Sequence, residues 1–590
     1  MYDVTDAENP REVGFIDGQL TTWRDIKVHQ FWNATEERWN AYAYISADSS
    51  TDGLFIIDLT ELPQRISRLT YNSDFDAAHN VYLMDAEFST GLSITGDAPV
   101  LILAGSNQSD GRFRSYTLSN PASPSFVAAP STPAGQPGGD RLYMHDGASM
   151  VVTDSRKDTQ CVNGTDHCDI VFDFNEGSLD IWDVTSTANP VRLSRTPYSN
   201  SAYTHSGWWS EDQQTVYVQD ELDERDRFLN TTLRAFNISD LTAPQEQTGW
   251  TGPTTAIDHN GFVRGNRYYM SNYSRGLTIL DITNQNAPTL VGRFDTFPSG
   301  DAVGFPGAWG TYPYLPSGNI AISDIDSGLY MVRDRTLDVA EGTLAFAAAS
   351  AGADESQSLE IDVTRSGGSQ GAISVAWELI GATADSTDVS NSSGTLSWND
   401  GDAASKTITL NLVSDGNAEG LERALLRLHA PTGGATLSSP SMASAWISDP
   451  GTASTIEFLD TRVSTTERDF ATAVAVVRRT GSSLGAVSVD YAVTGGTANA
   501  SNDYSGPATG TLNWADGDAT PRNIEYAVTD DTDAEPDEFF EISLSNPGGA
   551  NLGTNTLLQV DIIDGTGSNS APNAVAGSAQ TVAGGSAVTL

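Results

Sequence analysis

One short pattern recurs through the first 335 residues and limits the folds open to this chain: a strand ending in Asp, a turn that often carries Asn-Pro or Ala-Pro, then a second strand. It reads MYDVTDAENPREVGFI from Met1, GLFIIDLTELPQRISRL from Gly53 and SLDIWDVTSTANPVRLSRT from Ser178. It returns as LRAFNISDLTAPQEQTGW from Leu233 and GLTILDITNQNAPTLVGRF from Gly276, with weaker copies from Gly111 and Gly328. Each copy predicts a β-hairpin: alternate residues line a buried face, Asp and Thr side chains cap the turn, and Pro starts it. Equivalent positions fall at Asp3, Asp58, Tyr116, Asp183, Asn237, Asp281 and Arg333, about 44 to 67 residues apart. That interval suits one four-stranded propeller blade per copy and is too long for most solenoid rungs. Seven copies predict seven blades, the first lacking its inner strands.

The same residues resemble the LVIVD repeat, and the run as a whole is similar to the choice-of-anchor B family of bacterial surface proteins. WRDIKV (Trp23 to Val28), AHN (Ala78 to Asn80), SAYTHSGW (Ser201 to Trp208), QDELDE (Gln219 to Glu224), TGPTTAIDHN (Thr251 to Asn260) and GAWGTYP (Gly307 to Pro313) carry the resemblance. It implies a secreted β-propeller, relatives with varied carboxy-terminal anchors, and no established activity.

After Arg335 the texture changes to two units of about 115 residues. Each has an early Glu (Glu355, Glu467), then GTLSWNDGDA from Gly394 or GTLNWADGDA from Gly510, an acidic stretch, a strand and a closing Asp (Asp449, Asp564). Short alternating strands between Gly and Asp turns predict immunoglobulin-like β-sandwiches. The second unit resembles a Calx-beta domain through GTANASNDY (Gly496 to Tyr504) and DDTDAEPDEFFEISLSNP (Asp530 to Pro547); the first resembles a degenerate copy. The expected architecture is all-β: a propeller over 1–336, sandwiches over 337–451 and 452–566, then a linker and the first strand of a PKD-like module over 567–590. Both ends read as cut.

The Calx-beta resemblance implies calcium ligands at Glu467, Asp503, Asp530, Asp531, Asp533, Glu535, Glu538 and Asp564. In the first unit it maps onto Glu355, Asp388, Asp415, Glu419, Glu422 and Asp449. Ser414 and Asn417 stand there in place of Asp530 and Asp533, so weaker binding is expected of the first unit.

In the propeller, His79, His145, His205 and His259 share one phase of the repeat, and Asp25 and Trp309 take that phase where no His does. One position per blade, just before an apolar inner strand, belongs at the channel mouth. Two readings follow: a central site for a transition metal or small ligand, or histidines that tie each inner strand to its neighbour. Asp146 and Asp258 adjoin two of the histidines and can orient an imidazole. Asp220, Glu221, Asp223, Glu224 and Asp226 form an acidic group that either holds calcium or is a solvated loop.

Asp and Glu total 77 against 31 Lys and Arg, a net charge of −46. A phosphate backbone is repelled by such a surface, which argues against nucleic acid as a partner. Cys161 and Cys168 lie close together in a polar loop and predict one local disulfide, in keeping with an oxidising, extracellular compartment. No G-x-S-x-G elbow, H-E-x-x-H helix or phosphate loop is present. The expected function is a cell-surface binding or adhesion protein with a protein or carbohydrate ligand. A metal-dependent enzyme housed in the channel and a purely structural stalk are the alternatives.

Overall fold

The structure, a computed structural model, describes residues 1–563 except 5–10, 17, 20, 22, 34–37, 61, 63–65, 73, 131–142, 316–317, 338–339, 349, 356, 381–383, 385–387, 415–420, 439, 449–452, 468–471, 501 and 530–535. The expected PKD-like strand lies outside these residues. Among them, no helix is long and apolar enough to cross a membrane.

Among the described residues six antiparallel meanders make up the propeller, spanning 24–72, 80–128, 146–196, 204–251, 261–294 and 308–333. The sixth has three strands and the others four or five. Each begins with an inner strand, and successive inner strands lie side by side. Sheets bury both faces against their neighbours, so the middle strands are mostly apolar: Leu54–Asp58, Val100–Ala104 and Leu179–Asp183 are buried along almost their whole length, the last with Asp180 in its interior. Tyr42, Tyr44, Leu54 and Ile56 of the first sheet pack on Val81, Leu83, Leu101 and Leu103 of the second.

A seventh multi-stranded blade is not among the described residues. The first copy of the pattern is a hairpin of two-residue strands, Tyr2–Asp3 and Arg11–Glu12, paired with each other. Nearby Met1 and Ile16 pack on the first sheet at Ala43, Ile57 and Leu59.

The turn chemistry follows the repeat. Asp58, Asp183, Asn237 and Asp281 each accept the backbone N–H two residues on, at 2.8, 3.1, 3.0 and 2.8 Å. In the weak copies the same bond is made one residue later than the expected Tyr116 and Arg333. Thr117 accepts from Ser119 at 3.2 Å and Asp334 from Thr336 at 2.8 Å. A side-chain oxygen is needed there, and neither a phenol nor a guanidinium can fold back to accept that bond.

The predicted disulfide joins Cys161 and Cys168. Its loop is held by Asp183, whose Oδ2 accepts the N–H groups of Val162 and Asn163, both at 2.7 Å.

Both following units are two-sheet sandwiches. In each, the opening strand divides between the sheets: Thr343–Phe346 joins one, while Ser350–Asp354 crosses to the other and runs parallel to Met442–Ser448. Thr455–Phe458 and Arg462–Thr466 repeat this in the second unit. Burial alternates strictly along Ser358–Ser366 and Thr472–Thr480. The tryptophans of the two GTL motifs fill equivalent places: Trp398 and Trp514 are both 1 % exposed, and each indole N–H donates to a carbonyl six residues on, of Ala404 and Thr520, at 2.7 Å. Arg365 and Arg479 are also equivalent; each guanidinium is buried and donates to several loop carbonyls, which pins the sandwich end.

Candidate functional site

The shared phase of the histidines becomes a continuous ladder of rings at one end of the propeller axis. His79 and His145 have centroids 4.1 Å apart. His145 to His205, His205 to His259 and His259 to Trp309 are each 4.3 Å, every step tilted by about 45–50°. Each ring stands at or just before the start of an inner strand, one per sheet. Asp25 lines the same mouth, but its carboxylate is engaged by Lys27 at 2.6 Å and by the N–H of Val81 at 3.1 Å.

The strand-tying role is present on one side of the rings. His145 Nδ1 lies 3.3 Å from the carbonyl of His205, and His259 Nδ1 lies 2.6 Å from the carbonyl of Trp309. A carbonyl only accepts, so these nitrogens carry the proton and their Nε2 atoms carry the lone pair. His205 is turned the same way, toward the carbonyl of His259, but that oxygen is taken by the Ser206 hydroxyl at 2.5 Å. His79 differs: its Nδ1 contacts Asp48 at 3.2 Å. Neither flanking Asp orients an imidazole. Asp146 accepts the N–H of Gly147 at 2.6 Å, and Asp258 is sunk beneath the ring beside Asp223. Backbone carbonyls of the next blade do that work instead.

Burial holds His145 and His205 neutral far below the usual imidazole range and takes His259 down to about 3. His79, His205, His259 and Trp309 face a cavity of about 50 Å³, room for a few water-sized occupants, lined also by Arg24, Asn80, Asp146 and Asn260.

The residue that sequence reasoning did not bring to this mouth is Glu221. It follows the strand Thr215–Asp220, whose Asp220 pairs in register with Thr204; Glu221 then donates its N–H to the Tyr203 carbonyl, and His205 lies nearby in the register shift between Thr204 and Ser206. Its Oε2 is 3.7 Å from His205 Nε2 and its Oε1 is 3.9 Å from His259 Nε2. Tyr273 donates its hydroxyl to Oε1 at 2.7 Å. Counting along the hairpin from Thr204 to Asp220 sets Glu221 opposite Tyr203, so no sequence count pairs it with His205.

The acidic group does not form a solvated loop. Asp220 and Asp223 are 0 % exposed and Glu224 is 1 % exposed; only Asp226 faces solvent, paired with Arg225 at 2.7 Å. Asp220 accepts from the N–H groups of Ala202 and Tyr203 at 2.9 and 2.6 Å, and Asp223 pairs with Arg234 at 2.6 Å. Burial, then Asp258 and Asp223, push Glu224 up to about 12, so it is a neutral acid. The short helix Asp223–Asp226 folds this segment onto the fourth sheet, which removes it from water.

At the far end of the axis the inner strands end in aromatic residues. Phe88, from the segment between the strands Asn80–Met84 and Val100–Ala104, stands among Trp208 (4.8 Å), Phe262 (5.3 Å), Tyr314 (5.5 Å), Tyr312 (5.8 Å) and Tyr82 (6.4 Å). The channel therefore has a polar mouth and an apolar plug.

In the first sandwich Glu355, Asp388 and Glu422 are all buried, and one carboxylate oxygen from each lies within 4.8 Å of the others. The second sandwich builds the same frame. Glu355 and Glu467 donate their N–H to Ser448 and Ile563, and the carbonyls of Asp388 and Asp503 accept from Val413 and Thr529. Glu422 and Glu538 stand opposite Ile447 and Ile562 in register. Glu467 and Asp503 are buried. Asp530, Asp531, Asp533, Glu535 and Asp564 lie outside the described residues, as do Asp415, Glu419 and Asp449. Among described residues the three-acid cluster occurs in the first unit, the one whose sequence looked degenerate.

Propeller and tandem sandwich together define a modular all-β protein. The chain carries two Calx-beta domains, at 338–451 and 452–565, and an LVIVD repeat at 262–296. A stretch of 82 residues is 37 % identical to adhesion G-protein coupled receptor V1 of Danio rerio; it spans 14 % of this chain and 1 % of that protein. Among solved structures, the calcium binding domain CBD12 of CALX1.1 is 21 % identical over 37 % of this chain and 98 % of its own, with a TM-score of 0.18. A protein from Lactobacillus plantarum is 12 % identical over 58 % of this chain and 91 % of its own, with a TM-score of 0.34.

Proposed function

We propose that this chain is an extracellular adhesion-type protein, displayed at a cell surface, in which the propeller meets a protein or carbohydrate ligand and the Calx-beta units form a calcium-stiffened stalk. The observation that carries this reading is where the first acidic cluster sits. Glu355 adjoins Asp354, whose Oδ2 accepts a hydrogen bond from the Ser482 hydroxyl of the second unit at 3.0 Å. At Gly352 the two units come so close that a Cβ would lie 3.1 Å from the Ala519 nitrogen. Carboxylates gathered at a junction repel one another, and a cation with six to eight oxygen ligands removes that repulsion while fixing the joint. Both matched families are non-catalytic modules, which favours binding over catalysis.

Calorimetry on the whole chain tests the calcium claim. Calcium at a hundred times its dissociation constant stabilises the bound unit by about 2.7 kcal/mol, so the sandwich melting transition should rise and that of the propeller should not. Replacing Glu355 and Glu422 together by Gln should remove much of the rise. A melting profile indifferent to calcium refutes the stiffened stalk.

A further inference from the structure

The channel mouth gathers two imidazole nitrogens and a carboxylate in an arrangement that a cation satisfies. His259 gives its one proton, on Nδ1, to the Trp309 carbonyl, so the Nε2 facing Glu221 is a bare acceptor. Glu221 is an acceptor as well, already receiving the Tyr273 hydroxyl on the oxygen that faces His259. Two acceptors thus confront each other at 3.9 Å, and the other carboxylate oxygen stands 3.7 Å from His205 Nε2. A shared proton requires about 2.6–3.2 Å between such atoms and cannot bridge that distance. An ion bound at about 2.0–2.2 Å holds its nitrogen and oxygen ligands about 3.3 Å apart, and the three atoms here all lie within 4.8 Å of one another. The two imidazole–carboxylate distances shorten by about half an ångström, and the imidazole pair by up to about 1.5 Å, to close such a shell.

We propose that His205, Glu221 and His259 hold a first-row divalent transition metal ion at the propeller mouth, with a coordination position open to the adjoining cavity. Two imidazoles and one carboxylate suit zinc or ferrous iron and disfavour calcium, which seeks oxygen. The surroundings are those of a formed site. Backbone fixes the His259 tautomer, and a buried phenol orients the carboxylate, the outer-shell partners that metal ligands need. One blade supplies His205 from its inner strand and Glu221 from just beyond the second strand, and the next blade supplies His259 from just before its inner strand. The open side faces His79 and Asp146, polar groups placed to meet water or a small anion on the metal.

The test uses the full chain, stripped with a chelator and then saturated with calcium so that the sandwich carboxylates are filled. Zinc is titrated by calorimetry and cobalt(II) by visible absorption. One zinc per chain is expected, with a d–d band on cobalt addition that zinc abolishes. Glu221→Gln and His259→Ala each remove a ligand and should weaken zinc by about 100-fold or more; Tyr273→Phe keeps every ligand and should weaken it about ten-fold, as loss of an orienting partner does. His429→Ala, in the first sandwich, should leave binding unchanged. If His259→Ala does not fold, Glu221→Gln, which preserves shape and the Tyr273 bond, still reports. Substoichiometric zinc, or zinc uptake indifferent to Glu221→Gln, overturns the proposal.

Discussion

Asp173 and Asp180 stand directly opposite each other on paired strands of the third sheet, 3 % and 1 % exposed. Asp180 receives the Ser178 hydroxyl at 2.8 Å and Arg192 at 3.2 Å, while Asp173 receives the Trp182 indole at 3.1 Å. Burial raises both, Asp180 to about 6 and Asp173 well above the carboxylate range, the second further because Asp180 is beside it. A raised folded-state value means that the folded protein keeps a proton which the unfolded chain releases near pH 4. Stability therefore falls as pH rises, by about 1.4 kcal/mol per unit and group until the folded value is passed. Asp173→Asn keeps an uncharged side chain at every pH. It should flatten the decline above about pH 4 and raise the urea midpoint on the alkaline side of that range. A variant whose midpoint tracks the parent across that range would show that Asp173 does not titrate there. Nothing in the local sequence signals this pair, since FDF and LDIWD read as two ordinary strands and only their register makes the aspartates meet.

Hairpins were the most readable elements, because their turns depend on side chains two residues apart. Where Asp or Asn is followed by Thr or Ser at that distance, the repeat and the structure agree residue for residue. The two copies displaced by one, now at Thr117 and Asp334, are those in which the apolar run shifts relative to the capping oxygen. Asp58→Ala deletes one such bond and should cost the propeller about 1 kcal/mol in chemical denaturation. An unchanged midpoint would mean that solvent replaces the carboxylate without loss. The channel mouth was half readable. Repeat phase points to four histidines because one position per blade recurs at one height. Glu221 escapes that logic, for it occurs in one blade only and reaches the axis through hairpin pairing. Phe88 escapes it too, lying in a segment between blade strands that no other copy matches.

Among whole-molecule features, the junction between propeller and first sandwich is small and specific. Leu92 packs with Leu425 and Met442, Arg264 donates to the Ser441 hydroxyl at 3.3 Å, and Arg427 stands 3.9 Å from Glu87. A charge placed in the apolar part has no partner there, and Leu425→Asp should cost more than the contact it removes. Released sandwiches would lengthen the particle, which small-angle scattering reads as a larger maximum dimension; an unchanged curve would show that the covalent link alone sets the geometry. No sequence pattern announces this contact, since Leu92 and Leu425 are ordinary core residues of elements more than 300 positions apart.

The segment that supplies Leu92 and Glu87 to this junction also carries Phe88, the stopper of the channel. Whatever pulls the first sandwich away from the propeller therefore tugs on the stopper before it reaches any blade. On the proposed adhesion reading, load on the sandwiches would be felt at the closed end of the same axis whose other end bears the histidines. Closure and traction thus share a single loop of about ten residues, Asp85 to Thr95.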